Sequence, residues 1–316
     1  MTQPQHFVFA LVRDFTHMAF ASAVEPLRLA NLVSGKELYS WSFASENGES
    51  ATSSNGAVTL THHGFDAIPK CDYLFVLSGA NVKMRSSPKL LALVRRERTK
   101  STRIGALCSG AYVLAQAGLL DGQRAALHWE FHDAFQEEFP DVQLEQSVFV
   151  ADGKFITASG GSATADLMLH LIERDHGHDV SVLVADQMVY NAVRDGSASQ
   201  RVSLQARNGM RNKRVVAAVQ MMADSIEDPP SPSDIASRVG ISTRQLERLF
   251  GKHLQKTPKQ YFMDMRLERA RYLLLQTEAS ITEVAHACGF VSSGHFSRVY
   301  RTSFGILPER QRHKIT

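Results

Sequence analysis

Short apolar runs alternate with amphipathic stretches along the first two thirds of the chain, and then the short runs stop. FVFALV (7–12), WSFAS (41–45), DYLFVLSG (72–79) and RIGALC (103–108) are rich in β-branched and aromatic residues and predict strands. Between them, MAFASAVEPLRLANLV from Met18, SPKLLALVRRER from Ser87 and SGAYVLAQAGLL from Ser109 carry helical spacing. Such alternation predicts an α/β domain with a mainly parallel, doubly wound sheet covered by helices on both faces. VFVADGKFITAS (148–159) predicts a tight antiparallel hairpin turning at Asp152-Gly153. Two helical patterns follow, one closing at Gly177 and one running from Asp179 to Arg194.

The texture then changes. DGSASQRVSLQARNGMRN (195–212) is polar and lacks an apolar period, so it reads as a connection between an α/β domain over 1–195 and an all-α domain over 213–316, with the linker at 196–212. Charge divides at the same place. From Met210 onward there are 17 Lys and Arg against 10 Asp and Glu, whereas the preceding residues hold 18 against 22. The C-terminal part is therefore suited to a polyanion, provided its fold presents the charge. Three cysteines, Cys71, Cys108 and Cys288, stand at no metal-ligand spacing and predict neither a disulfide framework nor a metal site, and no cofactor is implied. No apolar stretch reaches the length of a membrane span and the N-terminus lacks a signal pattern, so a cytoplasmic location without membrane attachment is expected.

The C-terminal part repeats itself. IASRVGISTRQLERLF (235–250) and VAHACGFVSSGHFSRVY (284–300) each place Ala four residues before Gly, then an apolar residue, a Ser-containing break and a second helix. A small Ala permits close helix crossing, Gly takes the positive φ that ends a helix, and Ser242 or Ser292 caps the next. Each unit thus reads as a helix-turn-helix. Pro258–Gln276 between them reads as one helix of 19 residues, about 28 Å long, enough to hold two recognition helices roughly one DNA turn apart. A plain helical bundle is the alternative, and the doubling, the spacing and the basic excess count against it. These residues resemble the DNA-binding domain of the AraC/XylS regulators, including the closing Gly305-x-x-Pro308 segment, although Leu307 and Gln311 depart from the family pattern. The resemblance implies double-stranded DNA half-sites as partner, with Arg244, Gln245, Arg248, Ser293, His295, Ser297 and Arg298 facing bases and Lys252, Lys256 and Arg301 facing phosphates. Arg248 and Arg298 suit bidentate guanine readout, and a phosphate contact is the bland alternative for each.

The stretch RIGALCSGAYVLAQAGLLDG (103–122) sets a cysteine between a strand and a helix, as α/β enzymes mount a nucleophile. It resembles the elbow of the ThiJ/PfpI, class I glutamine amidotransferase-like superfamily, which implies a flavodoxin-like sheet and a pocket around Cys108. Two departures bear on catalysis: Ser109 follows the cysteine where some members place a histidine, and the position facing the thiol from the first helix is apolar, near Phe20, with Glu25 the later acidic residue. Taken whole, the chain resembles the GlxA-type subgroup of AraC regulators. That resemblance implies a non-catalytic domain that senses a small, amine-containing metabolite, with Ser78, Gly79, Cys108, Ser109, Gly110, His128, Ser159 and Gly160 around the effector. It further implies a transcription activator that acts as a homodimer and engages RNA polymerase. The rival from another class is a bifunctional enzyme with Cys108 as nucleophile and His128 as its partner; redox sensing by Cys108 is a third reading.

Overall fold

The computed structural model describes residues 3–151, 153–200 and 212–312. The chain divides into two compact units, Met1–Arg201 and Val202–Thr316. Asp152 of the expected hairpin turn and residues 201–211 of the polar connection lie outside the described residues.

The first unit is built on a seven-stranded sheet, of order β10-β11-β7-β6-β1-β2-β5. Its strands are β1 (Gln5–Leu11), β2 (Tyr39–Ser45), β5 (His63–Gly64), β6 (Tyr73–Leu77), β7 (Arg103–Leu107), β10 (Phe149–Val150) and β11 (Phe155–Ala158). All neighbours pair in parallel except β10 and β11, which are antiparallel. The mainly parallel, doubly wound sheet expected from the alternation is present. The central strands are apolar throughout because both faces are covered. One face holds α1 (His17–Ser34), α6 (Ala163–His176) and α7 (His178–Gln187) over Phe7, Phe9, Tyr73 and Phe75; the other holds α3 (Pro88–Arg98), α4 (Ala111–Gln116) and α5 (His132–Glu138) over Val8, Leu74 and Ile104. Each of those buried aromatic rings contributes about 1.5–3 kcal/mol by leaving water. Gly105 leaves room for Phe75, whose Cε1 would stand 2.2 Å from an added Cβ.

Two small ribbons lie outside the main sheet, β3 (Ser50–Thr52) with β4 (Val58–Leu60) and β8 (Arg124–Ala126) with β9 (Gln143–Glu145). The segment Val82–Arg85 forms a one-turn helix, α2. Two helices are shorter than the sequence pattern predicts. The one expected from Ser109 begins as a 3-10 turn at Cys108–Gly110 and ends at Gln116, ahead of Gly118 at φ 73°. The one expected to reach Arg194 ends at Gln187, and Val189 takes φ 53° to turn the chain back.

The second unit is helical: α8 (Lys213–Asp224), α9 (Pro232–Arg238), α10 (Thr243–Leu254), α11 (Pro258–Gln276), α12 (Ile281–Ala287), α13 (Ser293–Phe304) and α14 (Pro308–Arg312). Its punctuation is written in the sequence. Ser231, Ser242, Thr257 and Ser280 each form a capping box with the residue three places on, and Pro232 and Pro258 occupy first-turn positions where no N–H is needed. Gly240 and Gly289, at φ 70° and 71°, end α9 and α12 as the repeat predicted. Each helix-turn-helix has its own core, around Leu246 and Phe250 in the first and Phe296 and Tyr300 in the second.

Candidate effector pocket and nucleic-acid interface

Cys108 sits at the C-terminal end of β7, where open α/β sheets place their ligands. Its φ is 60°, a left-handed conformation unusual for a side chain with a Cβ. Four loops pack around it. Thr16 Oγ1 lies 3.3 Å from Sγ. Ser109 Oγ donates to Gly79 O at 2.6 Å, which ties the elbow to the end of β6. His128 N–H donates to Cys108 O at 3.4 Å. Gly160, at φ 91°, approaches so closely that an added Cβ would lie 2.7 Å from Cys108 Cβ.

The expected pocket residues thus converge, with different duties. Ser109 and Gly110 are buried, the serine hydroxyl already bonded and Gly110 pressed against Val76 O. Gly79 has no space for a side chain because Asp14 O would be 2.3 Å from its Cβ. Ser78 is fully buried and its hydroxyl has no partner among the described residues. Ser159 is buried, with its N–H on Val148 O. His128 is half-buried, and its Nδ1 accepts from Glu130 N–H at 3.4 Å and does not reach the thiol.

Burial dominates the electrostatics of the thiol. Burial pushes the Cys108 thiol up, and the Thr16 and Ser109 hydrogen bonds oppose burial without a cation to reverse it. Burial, then His132, pushes the His128 imidazole down, so it is neutral at pH 7. Beside Thr16, the first turn of α1 carries His17 and Phe20, whose rings cluster with Phe15 and Phe43 at centroid separations of 5.0 to 6.3 Å. His17 Nδ1 is buried and unpartnered among the described residues. A separate cleft of about 710 Å³ lies on the β10 edge, lined by Phe149, His170 and residues 193–197, and it does not include Cys108.

In the second unit, α10 and α13 are the second helices of the two helix-turn-helix pairs. Arg244, Arg248, Lys252, His295, Arg298 and Arg301 are exposed, whereas Ser293 and Ser297 are half-buried. Gln245 is partly committed, because its Oε1 accepts from Ser242 N–H at 3.1 Å in the capping box. The His295 ring packs edge-on to Phe290 at 5.9 Å. Lys256 pairs with Asp264 at 2.6 Å, which weakens its assignment to phosphate. Arg266 of α11, which the motif reading passed over, donates to Cys288 O at 2.8 Å and Gly289 O at 2.6 Å and stacks 4.1 Å from Phe290. It fixes the second turn to the long helix.

Comparison with known proteins agrees with both halves. The profile of a helix-turn-helix domain matches residues 235–314, and that of the DJ-1/PfpI family matches residues 8–174. The HTH-type transcriptional regulator GbdR of Pseudomonas aeruginosa is 40% identical over 309 residues, 98% of this chain and 84% of its own length. This chain is an AraC-type transcriptional regulator with an N-terminal DJ-1/PfpI domain. The HTH-type transcriptional regulator GlxA of Rhizobium meliloti is 35% identical over 98% of this chain and 96% of its own. An AraC family regulator from Pseudomonas putida shares the fold, with a TM-score of 0.55 at 24% identity over 58% of this chain and all of that one. Within this AraC-type regulator, no helix among the described residues is long and apolar enough to cross a membrane. The thiol contact from Thr16 had no motif to announce it; its one signal was a capping-type residue at the start of α1.

Proposed function

We propose that this regulator is a cytoplasmic, homodimeric activator whose DJ-1/PfpI domain binds a small amine-containing metabolite at the Cys108 elbow and performs no chemistry on it. The observation that carries the reading is the thiol's setting. An elbow with its strained φ is retained, while the groups against the sulfur are a neutral hydroxyl and a glycine. A nucleophile is activated by a base within hydrogen-bond reach, and among the described residues none bonds to the thiol. Support for an amine comes from the rings of His17, Phe20 and Phe43 near the elbow, since aromatic faces attract cations. His17 Nδ1 and Ser78 Oγ, without a partner among the described residues, are buried polar atoms that a ligand would satisfy. On this reading Arg248 and Arg298 read bases, Lys252 and Arg301 hold phosphates, and effector binding changes how the two helix-turn-helix units engage paired half-sites and RNA polymerase.

Thermal unfolding of the wild type and of Cys108→Ala against amino acids, quaternary amines, polyamines and small aldehydes tests it. One compound should raise both melting temperatures alike, by an amount that grows with its concentration. Consumption of a compound, or attachment to wild type alone, would show that Cys108 is a nucleophile.

A further inference from the structure

The last residues of the first unit are hydrogen-bonded to both loops that flank Cys108. After α7 the chain turns back at Val189, and Tyr190 OH donates to Asp166 Oδ1 at 2.9 Å. Arg194 donates from its backbone N–H and from Nε to the same carboxylate, at 2.8 and 2.9 Å, and from Nη2 to Ser162 Oγ at 2.9 Å. Asp166 is 1% exposed and pairs with Arg194. Ser162 follows Gly160-Gly161, the loop that rests on Cys108. Further along, Val148 N–H donates to Ala198 O at 2.9 Å, and the Gln200 side chain makes three hydrogen bonds among the described residues. Its Nε2 donates to Leu127 O at 2.8 Å and to Ser147 O at 2.9 Å, and its Oε1 accepts from Trp129 N–H at 2.8 Å. Leu127 and Trp129 bracket His128, whose N–H reaches Cys108 O. Residue 200 is followed by the connection to Asn212, the N-cap of α8 in the DNA-binding unit.

We propose that residues 190–200 are a latch, in which Ser162–Arg194 and Gln200 couple the state of the Cys108 pocket to the segment that leads into the DNA-binding unit. The assignment rests on the reading of the elbow as the effector site. Side-chain bonds of this kind are weak enough to open, each worth about 0.5–1.5 kcal/mol net, and they add a link between two loops that also meet at Cys108 and where Ala126 N–H donates to Thr157 Oγ1 at 2.7 Å. A ligand that moves either loop therefore acts on the latch, and by linkage an open latch acts on the pocket. If the latch only covered the sheet edge, it would not need to grip the 127–129 and 160–162 loops together.

The test uses the full chain and the thiol itself as reporter, so it needs no effector. Gln200→Ala and Ser162→Ala, the latter leaving the Asp166–Arg194 pair whole, are labelled with N-ethylmaleimide and the modified cysteines are resolved by peptide mass spectrometry. Each variant should label Cys108 roughly tenfold faster than wild type, because labelling follows local opening, while buried Cys71 keeps its rate. Affinity for a duplex selected by the full chain from random sequence should shift at least about threefold in the same variants. An unchanged Cys108 rate overturns the proposal. So does a parallel rise at Cys71, which marks general unfolding, or altered labelling with unaltered DNA affinity, which marks a mere cover. A panel of compounds that leaves both melting temperatures unmoved counts against the sensing reading and leaves the labelling result intact.

Discussion

At Cys108 two constraints meet in one residue: the backbone takes a left-handed φ, and burial pushes the thiol up. Both can be measured. Gly160→Ala puts a methyl 2.7 Å from Cys108 Cβ at a φ of 91°, so it should destabilise the first unit by about 2–3 kcal/mol in denaturant unfolding. A loss below about 0.5 kcal/mol would mean that the Gly160 loop is free to move off the thiol. The second measurement is stability against alkaline pH. Cys108 is raised by burial, and Cys71 is pushed up to about 12 by burial and Glu97. Below about pH 8.5 both thiols are protonated in the folded and unfolded chains. Above it the unfolded chain ionises first and binds fewer protons, so stability falls as pH climbs toward the folded values. Each thiol steepens that fall by up to about 1.4 kcal/mol per pH unit, and Cys108→Ala should flatten the profile between pH 9 and 10. An unchanged slope would mean that the thiol is already ionised in the fold, which the nucleophile reading requires.

Among elements, those legible in the sequence are those whose signals are local. The central strands are unbroken apolar runs because both faces are buried, and the ends of α9 to α13 are spelled out by Ser, Thr, Pro and Gly at cap positions. The ribbons β3–β4 and β8–β9 are three residues per strand, too short to show a period. The helical pattern from Asp179 to Arg194 misleads because Asp166, far away in sequence, draws Tyr190 and Arg194 out of a helix. The elbow was legible as Cys-Ser-Gly after a strand, whereas its Thr16 and Gly160 contacts are pairings 92 and 52 residues apart, and the Gln200 contacts to the neighbouring 127–129 loop depend on the path of the exit segment. Arg266 went unseen for the same reason, since inside α11 it looks like any surface arginine. Its fork satisfies two carbonyls at the end of α12 while its plane lies on Phe290. Arg266→Ala should cost about 2–4 kcal/mol and loosen the second helix-turn-helix selectively, read as faster amide exchange in 284–304 than in 235–254. Arg266→Lys should recover less than half of the loss, because an ammonium cannot span both carbonyls and stack. Equal loosening of both units would assign Arg266 to the stability of the whole helical unit.

At the scale of the whole molecule, the question is how a chain of formal net charge +3 engages DNA. The excess sits in the helical unit, and Arg244, Arg248, Lys252, Arg298 and Arg301 are exposed on or near the second helix of a helix-turn-helix. Each phosphate neutralised releases counterions, so log affinity should fall with log salt by about 0.9 per contact. Base readers and phosphate holders then separate by two measurements on the same variants. Lys252→Ala should weaken binding equally on matched and mismatched duplexes and reduce the salt slope by about one. Arg298→Ala should cost about 1–3 kcal/mol on the matched duplex, leave the slope nearly unchanged and relax preference at one base pair. The doubled architecture sharpens the expectation. On the proposed reading, two recognition helices held by a 19-residue helix would contact separate stretches of one face, so relaxation at Arg248 and at Arg298 should fall about ten base pairs apart. If both variants relaxed the same position, the two helices would share one groove, and the long helix would be a packing element with no role as a ruler.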